Sequence, residues 1–130
     1  MHEKALLSGL QVLVVEDTFL VALDLSDQLT ESGCEVIGPA ASVEQALKQL
    51  DGIALDGAVL DVNLQGERSF PIAELLASRG IPFVFLTGYD SATVFPDEFQ
   101  GTPRLSKPVD TQALTEAVAR FRHAPKPVPT

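Results

Sequence analysis

The sequence predicts a doubly wound α/β domain, in which a parallel five-stranded sheet lies between two layers of helices. Two observations predict this class. Short β-branched and apolar runs alternate along the chain with segments whose apolar residues recur at helical spacing. The apolar runs are continuous rather than alternating, which is typical of parallel strands buried on both faces. Right-handed crossovers between such strands place helices on both sides of the sheet.

Five segments are the predicted strands. Four of them are the apolar runs at residues 11–15, 34–37, 58–60 and 82–86. The fifth, at residues 103–106, has a weak strand composition and is placed mainly by the order of the elements. Aromatic residues make up only 6% of the chain, so the predicted core is mostly Val, Leu, Ile and Ala. The aromatic core candidates are Phe70, Phe83, Phe85 and Phe121.

Helical stripes separate these strands. Their apolar members are Val21, Ala22, Leu25 and Leu29 in the first, Val43, Ala46, Leu47 and Leu50 in the second, Ile72, Leu75 and Leu76 in the third, and Leu114, Ala117, Val118 and Phe121 in the last. Gly33 and Gly80 end the first and third helices. Ser42 and Gln45 form a capping box for the second, and Asp110 or Thr111 caps the last.

The segment between Gly88 and Gly101 needs a helix on topological grounds. Pro96 stands inside it, so we predict that this fourth helix is short or irregular. We expect residues 1–9 to be an N-terminal extension, residues 10–123 to be the domain, and residues 124–130 to be a flexible Pro-rich tail.

Length, charge and cysteine content exclude several classes. The 130 residues, 45% of them hydrophobic, suffice for one domain with a real core. No apolar stretch approaches the roughly 20 residues of a membrane-spanning helix, and the N-terminus lacks the apolar region of a signal peptide. We therefore expect a cytoplasmic protein without membrane contact. The lone Cys34 excludes a disulfide scaffold, and the net charge of −9 predicts no binding to nucleic acid.

Polar residues follow four of the predicted strands at their carboxyl ends. Glu16 and Asp17 follow the first strand, Asp61 the third, Thr87 the fourth and Lys107 the fifth. The carboxyl ends of parallel strands meet at one edge of the sheet, where ligands bind. The sequence therefore predicts a site that contains three carboxylates, a hydroxyl and an ammonium.

Three neighbouring carboxylates repel one another, and a hard divalent cation with oxygen ligands relieves that repulsion. Mg²⁺, or Mn²⁺ in its place, is the expected ion, with positions left for phosphoryl oxygens. Lys107 and the Thr87 hydroxyl can stabilise further phosphoryl oxygens. Asp61, at the end of the central strand, is the candidate nucleophile that accepts a phosphoryl group as an acyl phosphate.

Four motifs at these strand ends resemble those of response-regulator receiver domains, the phosphoacceptor domains of two-component signalling. They are VVED at 14–17, LDVN at 60–63, FLTGY at 85–89 and SKP at 106–108. The resemblance covers residues 10–123. It implies a flavodoxin-like (βα)5 three-layer sandwich with strand order 2-1-3-4-5. It also implies a sensor histidine kinase or a histidine phosphotransfer protein as the phosphoryl donor.

The resemblance implies a role for each acidic residue of the site. Asp61 resembles the phosphorylated aspartate of the family. Glu16 and Asp17 resemble the acidic pair that binds Mg²⁺ together with Asp61 and the backbone carbonyl of Asn63. The proposed metal ligands are therefore all oxygen atoms, as Mg²⁺ requires.

The remaining motif residues resemble the catalytic and switching groups of the family. Thr87 resembles the switch hydroxyl, and Lys107 resembles the lysine that acts with Asp61 and Thr87 in phosphoryl transfer. The resemblance also implies a cis bond between Lys107 and Pro108, in a tight turn that directs the lysine into the site.

Leu105 departs from the family pattern, which places Phe or Tyr two residues before the lysine. The combination of FLTGY with PRLSKP at 103–108 resembles a subset of receivers that carry a Phe-Ala-Thr-Gly-aromatic motif. We therefore expect Tyr89 and the segment after it to carry the conformational signal, in place of the usual coupling between the Thr and the aromatic residue.

Two other functions compete with the phosphoacceptor. A phosphorylation-independent interaction module on the same fold would not need the five site residues, and all five are present. A phosphatase of the haloacid dehalogenase type would need a second Asp where the chain has Asn63, and a cap domain for which the chain has no room. The second of these is excluded, and the interaction module stays open as the alternative.

We therefore predict a single-domain response regulator that is not a turnover enzyme. The receiver fills nearly the whole chain, so we expect output through a downstream protein target, or service as a phosphoryl shuttle or sink. The acidic surface suits partners with basic patches. Both a monomer and a phosphorylation-dependent dimer are compatible with the sequence.

The proposed role of Tyr89 is testable. Exchanging Tyr89 for Ala should abolish the phosphorylation-induced NMR chemical-shift changes in residues 88–101, because the ring would no longer transmit the change at Asp61. An unchanged response in the variant would contradict this hypothesis.

Overall fold

Seven strands are present in the computed structural model, which describes residues 7–88 and 95–123. In chain order they are β1 (Gln11–Val15), β2 (Glu35–Ala40), β3 (Gly57–Asp61), β4 (Asn63–Leu64), β5 (Glu67–Arg68), β6 (Phe83–Thr87) and β7 (Arg104–Ser106). Five of them form a parallel sheet in the order β2-β1-β3-β6-β7. The two-residue strands β4 and β5 form a separate antiparallel hairpin. The predicted strand order is therefore confirmed once the hairpin is set aside.

Within the described residues, four α-helices cover the two faces of the sheet. They are α1 (Phe19–Glu31), α2 (Val43–Gln49), α3 (Phe70–Ser78) and α4 (Thr111–Ala119). A 3-10 turn at Asp97–Phe99 is the helical element described between β6 and β7, in agreement with the short or irregular helix predicted there. None of the helices described in residues 7–88 and 95–123 is long and apolar enough to cross a bilayer.

The core has two halves because successive side chains of a strand point to opposite faces of the sheet. Val12 and Val14 of β1 pack with α1 and α4. Leu13 and Val15 pack with α2 and α3 on the other side. All residues of β3 are buried, as a central parallel strand requires. The three-layer sandwich is thus confirmed.

Side-chain caps begin two of the helices. The Ser42 hydroxyl accepts a hydrogen bond from the Gln45 amide at 3.1 Å, as the predicted capping box requires. The Gln45 side chain accepts from the backbone N–H of Ala41, one residue earlier than in the usual box. Asp110, not the residue after it, caps α4 through a 2.9 Å bond from the Ala113 amide.

Two details of the second strand-helix unit correct the sequence prediction. The strand does not span 34–37 but runs from Glu35 to Ala40, through Gly38 and Pro39. An edge strand tolerates proline, because one row of its backbone groups has no partner strand. Leu47, predicted on the buried face of the helix, is 36% exposed, because the seven-residue helix buries only a narrow stripe.

Aromatic rings fill the core between α3 and the start of β7. The predicted core residue Phe85 is buried, and Phe70 packs edge-on against its ring. Phe95 and Phe99 complete this cluster. The Arg104 guanidinium lies 3.7 Å from the centre of the Phe95 ring. It also donates to the carbonyls of Phe99 and Gln100, which fastens this segment to β7.

Both described ends of the chain pack on the amino-terminal side of the sheet. Leu7 is fully buried, although it belongs to the predicted extension. Phe121, in the 3-10 turn after α4, lies against the start of β3. A Cβ atom at Gly57 would stand 2.1 Å from the Phe121 ring, so only glycine fits there. This close approach fixes the last described turn to the sheet. The predicted tail, residues 124–130, lies outside the described residues.

Candidate functional site

The register of the sheet brings the predicted site residues to one edge. Val15 lies beside Leu60, so the residues that follow, Glu16 and Asp61, are also neighbours. Asp61 in turn lies beside Leu86. The carboxyl end of β7 adds Lys107, whose amide donates to the Thr87 carbonyl at 2.9 Å. Residues that are 45 and 46 positions apart in sequence therefore meet because buried strands hold them in register.

One ammonium joins two carboxylates at this edge. Lys107 Nζ lies 2.7 Å from Asp61 Oδ2 and 2.8 Å from Glu16 Oε1. Both acids are buried, at 2% exposure for Glu16 and 5% for Asp61. Backbone amides hold the other oxygens: Thr18 donates to Glu16 Oε2 at 3.1 Å, and Asn63 donates to Asp61 Oδ1 at 3.2 Å. Each buried carboxylate is thus fixed from two sides.

The site carries more negative charge than the lysine balances. Oxygen atoms of Glu16, Asp17 and Asp61 lie within 4.8 Å of one another. The pKa of Glu16 is raised to about 7, chiefly by burial and also by Asp61, against the lowering effects of Lys107 and the Thr18 amide. Burial lowers the pKa of Lys107, but the hydrogen bonds and charges of the two acids outweigh it, and the pKa is raised overall. Three carboxyl groups share one ammonium, so the site has two negative charges in excess when all three are ionised.

These donors fit a small divalent cation. All three are carboxylate oxygens, the ligand type that Mg²⁺ and Mn²⁺ prefer. With bonds of about 2.1 Å in an octahedral site, neighbouring ligands of Mg²⁺ lie about 3.0 Å apart and opposite ligands about 4.2 Å apart. Oxygens separated by as much as 4.8 Å would therefore move closer together to bind one ion. Asp17 is half-buried at the rim and, unlike Glu16 and Asp61, forms no ion pair with Lys107, which leaves its carboxylate available to an ion.

Thr87, Leu105 and Pro108 lie at or beside this edge. Thr87 is the last residue of β6 and is half-buried. Leu105 is half-buried, pairs in register with Leu86, and packs against the core on the side of α1 and α4. The bond between Lys107 and Pro108 is cis, as predicted. Tyr89 lies outside the described residues.

A hairpin beside Asp61 was not predicted from the sequence. Strands β4 and β5 place Arg68 next to Asn63, whose side-chain oxygen accepts a hydrogen bond from the Arg68 guanidinium. Asn63 is exposed at the rim. Two-residue strands leave no periodic pattern in a sequence. The available sequence signal was Gly66, a residue type common in turns, and in the structure it has a positive φ of 90°.

An exposed apolar patch beside the site was also missed. Phe19 and Leu20, in the first turn of α1, are 76% and 72% exposed, and Leu23 is 45% exposed. Leu20 also lines a groove of about 220 Å³ between α1 and the turn that carries Lys107 and Pro108. The sequence does carry a signal for this patch, because Phe19 and Leu20 do not belong to the helical stripe of Ala22, Leu25 and Leu29 that packs on the sheet.

Comparison with known proteins adds a family match. The family model described as the response regulator receiver domain matches residues 12–119. The chain is 31% identical over 114 residues to an uncharacterized response regulatory protein of Vibrio cholerae, and 31% identical over 116 residues to the sensory transduction protein LytT of Bacillus subtilis. These matches cover 86% and 87% of the chain. The chain spans about half the length of these curated relatives, at 48% of each.

Solved structures share the fold. The solution structure of SdrG from Sphingomonas melonis Fr1 superposes with a TM-score of 0.76 at 39% identity, covering 90% of this chain and 98% of that one. The receiver domain of the PhyR response regulator of Erythrobacter litoralis gives a TM-score of 0.79 at 23% identity, over 97% and 98% of the two chains. The latter similarity is one of fold alone.

The excess negative charge predicts stabilisation by a divalent cation. Mg²⁺ at ten times its Kd should add about 1.4 kcal/mol to the free energy of unfolding, measured as a rise in Tm. Asp17→Asn should lose most of this gain because it removes a ligand but leaves the ion pairs of Lys107 in place. Asp51→Asn, an exposed acid outside the site, should keep it. An equal Mg²⁺ response in the Asp17 variant and the wild type would locate the ion elsewhere.

Proposed function

The chain belongs to the response regulator receiver domain family, and from this premise we propose that it is a Mg²⁺-dependent phosphoryl acceptor phosphorylated at Asp61. The family consists of signalling domains rather than classical enzymes. The observation that carries the proposal is the position of Lys107, whose ammonium contacts Asp61 and Glu16 beside a third carboxylate. Such a set suits a phosphoryl group, which brings negatively charged oxygens to the edge of the sheet.

The proposed reaction is a phosphoryl transfer from a phosphohistidine. An Asp61 carboxylate oxygen forms the new P–O bond while the P–N bond to the donor imidazole breaks, and that imidazole nitrogen takes up a proton. The product is an acyl phosphate on Asp61, which water later hydrolyses. Lys107 stabilises negative charge on the transferred group, and the Thr87 hydroxyl donates to one of its oxygens. Mg²⁺, bound by Glu16, Asp17, Asp61 and the Asn63 carbonyl, would neutralise charge on the phosphoryl oxygens.

Response regulators interact with histidine kinases, and we place the donor on the patch formed by Phe19, Leu20 and Leu23. Three large apolar side chains in one helix turn are costly to expose unless a partner covers them. Glu16 lies only three residues before the patch, and its Oε2 accepts from the amide of Thr18, the residue that precedes α1. A protein that packs on this turn of α1 therefore holds its histidine close to the site.

The same proposal covers the output, which is the change that phosphorylation of Asp61 causes in the rest of the domain. A phosphoryl dianion at Asp61 attracts the Thr87 hydroxyl and biases the segment after β6, which includes Tyr89. We propose that this change controls binding to a downstream protein, or that the protein passes the phosphoryl group on as a shuttle or sink in the cytoplasm. The chain would act as a single-domain regulator, either monomeric or dimeric after phosphorylation.

Intact-mass spectrometry tests the acceptor function directly. Incubation with a small acyl phosphate donor and Mg²⁺ should add one phosphoryl group to the wild type and none to Asp61→Asn. EDTA should suppress the adduct because the transferred oxygens lose their counter-charge. Asp51→Asn serves as the matched control and should be labelled normally. Absence of an adduct from both the small donor and a histidine kinase would favour the phosphorylation-independent interaction module instead.

Leu20→Ser tests the donor surface separately from the chemistry. Burial of a leucine side chain contributes about 1.5–3 kcal/mol, so phosphorylation by a histidine kinase domain that phosphorylates the wild type should slow about tenfold or more at subsaturating concentration. Phosphorylation by the small donor should be unchanged, because that donor needs no docking surface. Leu47→Ser is the control, because Leu47 is also an exposed leucine but lies on a different helix, α2. Equal slowing with both donors would indicate damage to the site and contradict the docking role.

A further inference from the structure

An apolar groove of about 420 Å³ lies at the opposite edge of the sheet from Asp61. The start of β6, the residues just before β7, and the end of α4 with the 3-10 turn after it form its walls. Its apolar lining includes Pro82, Phe83, Pro103 and Phe121. Because these residues lie at the amino ends of the strands, the groove is separate from the carboxylate site and is not used in the proposed phosphoryl transfer.

The last described residues of the chain lie at the wall of this groove. Arg120 and Phe121 both line it, and the 3-10 turn that carries them ends at His123. The packing of the Phe121 ring on Gly57 holds this turn in place. Residues 124–130 therefore begin beside the groove, only three positions after one of its lining residues.

The composition of residues 124–130 matches the groove. The segment reads APKPVPT, with three prolines, one valine and one lysine. Proline-rich segments favour the extended polyproline II helix and bind in grooves lined by aromatic residues. Seven residues at about 3.1 Å each span about 22 Å, enough to cross the groove. Glu98 lies in the lining and offers a carboxylate to Lys126. Arg120 adds one positive charge to the same lining.

We propose that residues 124–130 of this chain occupy the groove between α4 and the amino ends of β6 and β7. Direct attachment gives the segment an effective concentration in the millimolar range. Even a weak intrinsic affinity then keeps the groove filled by its own chain. The contact covers apolar surface that would otherwise be open to other proteins, and it does not depend on phosphorylation of Asp61.

A spin label on the last residue tests the contact in the full chain. Thr130→Cys carries a nitroxide; the native Cys34 is buried and burial raises its pKa to about 11, so we expect no label on the wild type at neutral pH. Relative to the reduced label, the amide signals of Gly101, Thr102 and Ala117 should lose more than half of their intensity. The amide of Gly66, in the hairpin near Asp61, should keep its intensity.

Charge-exchange variants distinguish binding of residues 124–130 in the groove from simple proximity of the groove to the end of the chain. Glu98→Lys should restore much of the intensity of the amide signals at the groove, because the new lysine repels Lys126. Adding Lys126→Glu should bring the broadening back. Glu74→Lys, at an exposed acid on α3, should have no effect. Glu98 and Glu74 are both exposed, and the dispersion of each spectrum reports on folding.

Three outcomes would overturn the proposal. The first is the absence of selective broadening at the groove. The second is broadening that persists unchanged in Glu98→Lys, which would indicate an undirected chain end. The third is broadening of an isotope-labelled, unmodified protein by an added spin-labelled one, which would assign the groove to the tail of a second copy.

Discussion

The contact of the Lys107 ammonium with Asp61 and Glu16 is the interaction on which the site depends. Both carboxylates are buried, and burying a charge without compensation costs several kcal/mol. One ammonium cannot offset three acids, and burial together with the neighbouring Asp61 raises the pKa of Glu16 despite the contact with Lys107. The fold therefore maintains a site that is short of positive charge, which is the property needed to attract a cation and then a phosphoryl group.

The sheet supports this arrangement because the central strands cannot shift. A slip of one residue in β1 or β3 would turn every buried side chain to the wrong face, so the register that buries Val14 and Val59 also fixes Glu16 and Asp61. Lys107 instead follows β7, which is only three residues long. Its backbone bond to the Thr87 carbonyl ties it to the longer β6. Preorganisation of the site thus decreases from the central strands towards the edge strand.

The sequence predicted those features that have a strong local or periodic signal. The buried strands β1, β3 and β6 are continuous apolar runs, so the fold and the meeting of Glu16 and Asp61 at the strand ends could be predicted. Lys107 follows the weak strand β7, and its position was predicted from the order of the elements. The end of β2 could not, because Gly38 and Pro39 are typical of a turn and only their edge position allows a strand there. The β4–β5 hairpin is too short for any periodic pattern.

The exposure of Phe19 and Leu20 shows why surface function is harder to predict than core position. Their hydrophobicity alone suggests burial, and only the rotation of α1 on the sheet shows that Ala22, Leu25 and Leu29 are the residues that pack. Since the first turn of α1 follows the Glu16–Asp17 pair almost directly, its orientation is fixed by the same strand end that holds the acids. Under the proposed function, a partner bound to the patch would be held near Asp61, and binding energy gained on α1 would lower the entropic cost of aligning the transferred group.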